Sequence, residues 1–93
     1  MNLNLLENII EIEFGNRKNM LIFKNKNRAQ NNLLKIKKEV KNKDDFKSYL
    51  KDLDYKVILK TEELEFINES AISTPPIYDM ALKTGVDKVI IVN

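Results

Sequence analysis

Four consecutive β-branched apolar residues, Val89, Ile90, Ile91 and Val92, constrain the fold of this chain more than any other feature of its sequence. Because side chains alternate between the two faces of a strand, a run without polar residues is apolar on both faces. Such a strand is typical of the interior of a sheet that is covered on both sides. The rest of the chain must therefore supply that cover.

The residues before this run have the pattern of a helix followed by a tight turn. Thr74 can cap the helix through its hydroxyl, Pro75 and Pro76 suit its first turn, and Gly85 suits the left-handed residue that ends it. Together with a β-rich segment at residues 55–60, this pattern predicts a strand–helix–strand unit. A unit of that kind implies a right-handed crossover, with strands 55–60 and 88–92 running parallel.

The first half of the chain changes its hydrophobic period near residue 25. Ile10, Ile12 and Phe14 alternate with glutamates, which indicates a half-buried strand. Residues 15–19 have turn chemistry and residues 20–24 fit a returning strand, so an antiparallel hairpin is predicted. Residues 2–8 are interpreted as a short helical or irregular lead-in.

Two amphipathic helices are predicted next. The first spans residues 28–42, and its buried side would carry Ala29, Leu33, Ile36 and Val40. Its outer side would carry Arg28, Asn31, Lys35, Lys38 and Asn42. Asp44 would cap the second helix, whose inner side carries Phe46, Tyr49, Leu50 and Leu53. Residues 61–69 fit either a strand or a helix start, and an extended excursion is favoured.

These elements predict a single domain over residues 1–93 with an α/β (or α+β) fold. We expect a mixed sheet of about four strands, in the chain order β-β-α-α-β-α-β, with helices packed on it.

Composition argues against most catalytic chemistry. The chain has no cysteine and no histidine, so it lacks the usual thiolate nucleophile, the commonest general base and the commonest metal ligands. No serine lies in a G-x-S-x-G motif, both glycines are accounted for by turns, and the acidic residues lack metal-loop spacing. We therefore predict no catalytic residue, no metal and no cofactor. No apolar run reaches the roughly 18 residues that a membrane helix needs, so a cytoplasmic chain without membrane contact is expected.

Charge is distributed unevenly along the chain. Residues 15–43 contain ten basic residues and one acidic residue, a net charge of +9 in a chain whose total is +2. A basic face of this kind fits an acidic protein surface, or nucleic acid with Phe14 or Phe23 stacking on bases, or solvent alone in a lysine-biased chain. The partner-binding residues predicted from it are Arg17, Lys18, Lys24, Lys26, Arg28, Lys35 and Lys38.

Residues 66–93 resemble the C-terminal segment of patatin-like phospholipases. Phe66-Ile67, Pro76-Ile77, Gly85, Asp87 and the apolar run at 89–92 match that family's apolar pair, Pro-Ile, Gly-Ala-Asp and final strand. Asn68 stands where the family has its dyad aspartate, and the nucleophile elbow is absent. The resemblance implies a degenerate or split piece of an acyl hydrolase, without activity of its own.

The sequence therefore leaves three functional hypotheses. We favour a non-catalytic binding module for a protein partner, of the inhibitor or adaptor type that phages and other mobile elements carry. The alternatives are a nucleic-acid-binding module and the acyl hydrolase piece. Scarce arginine favours protein over base recognition, because the guanidinium fork suits guanine.

Overall fold

A computed structural model describes the backbone of residues 1–60, 65–66 and 85–92 and the side chains of residues 1–55 and 85–92. Its elements are β1 (Asn2–Leu6), β2 (Ile9–Phe14), β3 (Arg17–Ile22), α1 (Lys26–Glu39), α2 (Lys43–Lys51), β4 (Tyr55–Lys60), β5 (Glu65–Phe66) and β6 (Lys88–Val92). The described strands form one mixed sheet in the order β1-β2-β3-β6-β4-β5. The predicted fold class is confirmed: β2, β3, β4 and β6 are the four predicted strands, and β1 and β5 extend the sheet beyond them.

The apolar run at 89–92 is an interior strand, as predicted. β6 pairs with β3 in parallel and with β4 in antiparallel orientation, and no residue from Val89 to Val92 is more than 6% exposed. Ile90 and Val92 join the core beneath the helices. Val89 and Ile91 lie on the opposite face and are also buried, so both faces of this strand are shielded from water.

The predicted parallel pairing of strands 55–60 and 88–92 is wrong, since β4 and β6 run antiparallel. β5 also pairs with β4 in antiparallel orientation, so β5 and β6 run in the same direction and both run opposite to β4. The predicted helix between residues 74 and 85 lies outside the described residues. Gly85 has the positive φ expected of it, +68°.

The lead-in predicted as helical or irregular at residues 2–8 is instead strand β1. It pairs with β2 through a two-residue turn, in which Glu7 has a φ of +52°. Its Asn-Leu alternation explains the strand, because Leu3 and Leu5 pack against the core while Asn2 and Asn4 are exposed. The second hairpin, β2–β3, turns at Gly15 and Asn16, so β3 begins three residues before its predicted start at residue 20.

Both helices begin at asparagine caps. The side-chain oxygen of Asn25 accepts the amide hydrogen of Arg28 at 2.8 Å, which starts α1 two residues before its predicted start. Asn42 accepts the amide hydrogen of Asp45 at 2.9 Å in the same way. The cap predicted at Asp44 is therefore wrong, since Asp44 lies in the first turn of α2, where its charge favours the positive end of the helix.

The helices cover one face of the sheet. α1 packs across β1 and β2 and against α2. The core beneath them consists of Ile10, Ile12, Leu21, Phe23, Ala29, Ile36, Val40, Phe46, Tyr49, Leu50, Ile90 and Val92.

Candidate functional site

Most of the basic residues lie on α1, α2 and the turn between them, residues 26–51, which we call the basic helical layer. This segment contains nine basic and three acidic residues, a net charge of +6. Among the described residues, no lysine of the layer lies within ion-pair distance of a carboxylate, whereas Arg17 and Asp87, outside the layer, form an ion pair. The charge of the layer is therefore not compensated by short-range pairing.

The carboxylate of Asp45 is used in local structure. It accepts the amide hydrogen of Lys41 at 2.9 Å, while the amide hydrogen of Asp45 itself is donated to Asn42. These reciprocal bonds fix the turn from α1 into α2. This turn therefore holds the exposed lysines of the two helices in one layer.

The outer face of α1 combines charge with one large apolar side chain. Leu34 is 65% exposed, although it lies in the middle of a 14-residue helix. A helix turns 100° per residue, so its neighbours on the surface are Gln30, Asn31, Lys37 and Lys38, all of them exposed. This face thus presents a leucine bordered by two amides and two ammonium groups.

Two of the predicted site residues lie on the flank of α1 that faces α2. The ammonium nitrogen of Lys35 lies 5.9 Å from the centroid of the Tyr49 ring, a cation–π arrangement. Arg28 is half-buried on the same flank, and its predicted place on the outer side is therefore wrong. Arg28 and Lys35 contribute to helix packing as well as to surface charge.

Tyr49 links the two helices through its phenol. Its hydroxyl donates a hydrogen bond to the side-chain oxygen of Asn32 at 2.7 Å, and the Asn32 amide donates to the carbonyl of Arg28 at 2.9 Å. Burial raises the pKa of the Tyr49 phenol well above its usual value; the charge of Arg28 acts in the opposite direction, and that of Glu39 raises it further. Tyr49 therefore stays neutral near neutral pH and serves as a hydrogen-bond donor between the two helices.

Arg17 and Lys18, at the tip of the β2–β3 hairpin, are held by the start of β6. One carboxylate oxygen of Asp87 accepts the amide hydrogen of Lys18 at 2.8 Å, and the other lies 3.6 Å from the Arg17 guanidinium. By strand alternation, Lys18 points to the sheet face opposite the helices. The hairpin tip is thus held by contacts with Asp87, which the basic residues of its sequence did not predict.

The seven predicted site residues do not form one patch. Lys26, Arg28, Lys35 and Lys38 belong to the basic helical layer, in which Arg28 is half-buried, and Lys24 is exposed just before α1. Arg17 and Lys18 are at the other end of β3, about 20 Å from Lys24 at the usual rise per residue. Five lysines and one leucine of the layer were not among the predicted residues, namely Leu34, Lys37, Lys41, Lys43, Lys47 and Lys51. The lysines were visible as charge on both helices, and the helical period places Leu34 away from the buried side of α1, which is the sequence signal for its exposure.

A shallow polar pocket of about 150 Å³ opens on the face opposite the helices. It is lined by Asn2, Asn4, Glu11, Ile12, Glu13, Lys18, Asn19 and Val86. In the part of the chain that the structure describes, no three acidic, histidine or cysteine residues come together as a metal site would require. None of the described residues that line the pocket is a buried nucleophile, and we assign the pocket no chemistry.

Comparison with known proteins yields no relative. No protein family, curated protein or solved structure matches the chain. Most of the segment that resembles patatin-like phospholipases lies outside the described residues. Of its described members, Asp87 bonds to the β2–β3 hairpin. Across the described ranges, no helix is long and apolar enough to cross a membrane.

Proposed function

We propose that this chain is a non-catalytic binding module that docks a protein partner on the basic helical layer. The observation that carries the proposal is Leu34, an exposed leucine at the centre of a face whose lysines lack ion pairs among the described residues. Protein interfaces combine an apolar anchor with a polar rim, and lysines in the rim attract and orient a partner of opposite charge. The expected partner surface is acidic, with an apolar depression for Leu34.

Two observations favour protein over nucleic acid. Neither arginine of the chain is available for base recognition on the outer face, because Arg17 pairs with Asp87 and Arg28 is half-buried beside α2. The aromatic side chains considered for stacking on bases are also engaged within the fold. Phe23 is 2% exposed, and the centroid of the Phe14 ring lies 5.4 Å from that of the Phe46 ring. Lysines alone can still contact phosphates, so nucleic acid is an outcome that the experiment must separate.

The test is site-specific photo-crosslinking in the source cells. A photoreactive amino acid replaces Leu34 in one variant and Asp54, an exposed residue after α2, in the control. We expect one protein adduct of defined mass at position 34 that is absent at position 54. Adducts that nuclease digestion removes would identify a nucleic-acid partner instead, and equal adducts at both positions would exclude this surface.

The captured partner then allows an affinity test. Leu34→Ala should weaken binding at least about fivefold, as truncation of an apolar anchor does. Lys38→Glu should weaken it further, mainly by slowing association, and its effect should shrink as salt rises. Lys24→Glu makes the same charge change outside the layer and serves as the matched control. On duplex DNA, log K would fall by about 0.9 per neutralised phosphate for each tenfold rise in salt.

We further propose that the module acts in the cytoplasm as an inhibitor or adaptor and has no hydrolytic activity of its own. Support comes from the sequence, which lacks histidine and cysteine and has Asn68 at the position of the family aspartate. We expect the purified chain to hydrolyse neither a generic ester nor a phosphodiester. Turnover that persists through purification and disappears in Ser70→Ala or Ser73→Ala would instead support the acyl hydrolase hypothesis.

A further inference from the structure

β1 forms one edge of the sheet, and its outward backbone groups can be assigned from the hairpin geometry. A two-residue turn makes Leu6 and Ile9 a hydrogen-bonded pair, so Asn2, Asn4 and Leu6 direct their backbone groups toward β2. The amide of Phe23, which donates to the carbonyl of Asn8 at 2.9 Å, fits the same alternation on the other side of β2. The N–H and C=O groups of Leu3 and Leu5 therefore point away from the sheet, where no described strand pairs with them.

Within the described residues, β1 lacks three features that often protect an exposed edge strand: a charged residue, a proline and a bulge. The sequence of β1, N-L-N-L-L, has neither a charged residue nor a proline. Its register with β2 is regular over all five residues, so no bulge twists the edge away from a second strand. A regular, uncharged edge of this length is competent to accept another strand.

Exposed apolar side chains concentrate near the same edge. Three large apolar side chains of the described residues are more than half exposed, and two of them, Met1 at 51% and Leu6 at 55%, bracket β1. Leu3 and Leu5 are only partly buried, although they pack against the core. An added strand would cover all four side chains.

We propose that a second copy of this chain pairs with β1, antiparallel, about a two-fold axis that passes between the two Asn4 residues. Leu3 of each copy then lies opposite Leu5 of the other, and both pairs use the outward backbone groups, which makes four N–H···O bonds. The two Asn4 side chains meet in the closer, non-hydrogen-bonded position, where amides can bond to each other. Because β1 contains no charged residue, pairing two copies of it brings no like charges together, and the edge is self-complementary. This inference is independent of the proposed function.

The absence of native cysteine allows a direct test by cross-linking. In the proposed register, residue 4 faces its own copy with Cα atoms about 4.5 Å apart, within the range of a disulfide. Residue 2 is about 14 Å from its own copy, beyond that range. We expect Asn4→Cys to oxidise to a covalent dimer at micromolar concentration much faster than Asn2→Cys. Equal rates, or no dimer from Asn4→Cys, would overturn the proposal.

Sedimentation equilibrium and amide exchange test the chain without cross-linking. The unmodified chain should dimerise reversibly, and the amides of Leu3 and Leu5 should gain protection as its concentration rises. Asn4→Lys places two like charges at the two-fold axis and should raise the dissociation constant about fivefold. Asn2→Lys, the matched control, should have little effect, because the two lysines stay far apart. A chain that remains monomeric to millimolar concentration, with unprotected Leu3 and Leu5 amides, would exclude a second copy as the occupant of this edge.

Discussion

At the level of single residues, Tyr49 connects the packing of the two helices with the positions of the lysines on their surface. Its ring is 4% exposed and packs with the Phe46 ring, its hydroxyl bonds Asn32, and Lys35 lies over its face. A buried hydroxyl must keep its partner, because an unpaired buried polar group is costly. Tyr49 therefore fixes how α1 lies against α2, and with it the arrangement of lysines above them.

Tyr49→Phe should lower the free energy of unfolding by about 1 kcal/mol near neutral pH, because it removes the hydrogen bond to Asn32. The pKa of this phenol is raised in the folded state, so its stabilisation is complete below the unfolded pKa of about 10 and is lost as pH rises above that value. Urea unfolding from pH 8 to 11.5 measures both effects. The parent should lose stability more steeply than Tyr49→Phe above pH 10; identical slopes would contradict the assigned burial.

Among the elements, β6 connects the two halves of the chain. It lies between β3, from the first half, and β4, from the second, so the sheet depends on its insertion. Asp87 anchors the start of this strand, since its backbone amide donates to the carbonyl of Lys18 at 2.8 Å and its carboxylate accepts the Lys18 amide hydrogen. Hydrogen bonds therefore hold the chain at the start of β6, and buried apolar side chains hold it from Val89 to Val92.

Ile91→Asp should cost several kcal/mol and unfold the chain at room temperature, because a charge without a partner replaces a buried apolar contact. Leu34→Asp makes the same chemical change at an exposed helical position, where about 1 kcal/mol or less is expected. Circular dichroism with thermal melting compares the two variants. A melting temperature for Ile91→Asp within a few degrees of the parent would mean that position 91 of β6 is accessible to water.

At the scale of the whole molecule, the basic helical layer and the β1 edge lie on different parts of the surface. The basic helical layer covers one face, whereas β1 lies at the sheet margin. Antiparallel pairing of two β1 strands would place both layers on the same side of a continuous sheet. Two linked layers would raise the apparent affinity for a partner with repeated acidic sites.

The basic helical layer should make folding stability depend on salt. Lysines lie three or four residues apart on the surfaces of the two helices, as in Lys35–Lys38 on α1 and Lys43–Lys47–Lys51 on α2. Raising NaCl from about 0.02 to 0.2 M screens this repulsion and should raise the melting temperature by a few degrees. Lys47→Gln removes two like-charge pairs and one attractive pair with Asp44, so its salt-dependent gain should be smaller. A melting temperature that falls with salt would show that net attraction governs the surface.

Elements with a strong local pattern were predictable from sequence. The unbroken apolar run defined an interior strand, the alternation of isoleucine and glutamate defined β2, and the 3.6-residue period defined α1. Charge segregation likewise located the basic region. In each case the pattern of apolar and polar residues along the segment indicates which side chains are buried, because the period of the pattern matches the geometry of the strand or helix.

Tertiary structure decided strand direction, strand order and the members of the candidate surface. The hydrophobic pattern of β6 is the same in either direction, so it could not predict the antiparallel pairing with β4, and the two-residue strand β5 is too short to have a hydrophobic period. The Asn-Leu alternation of β1 is short, and its pairing with β2 is what establishes it as a strand; Arg17 is tied to β6 because residue 87 lies beside it although it is far away in the sequence. Sequence determines what each segment prefers to bury; only the folded chain determines which distant groups meet, because those contacts depend on every connection between them.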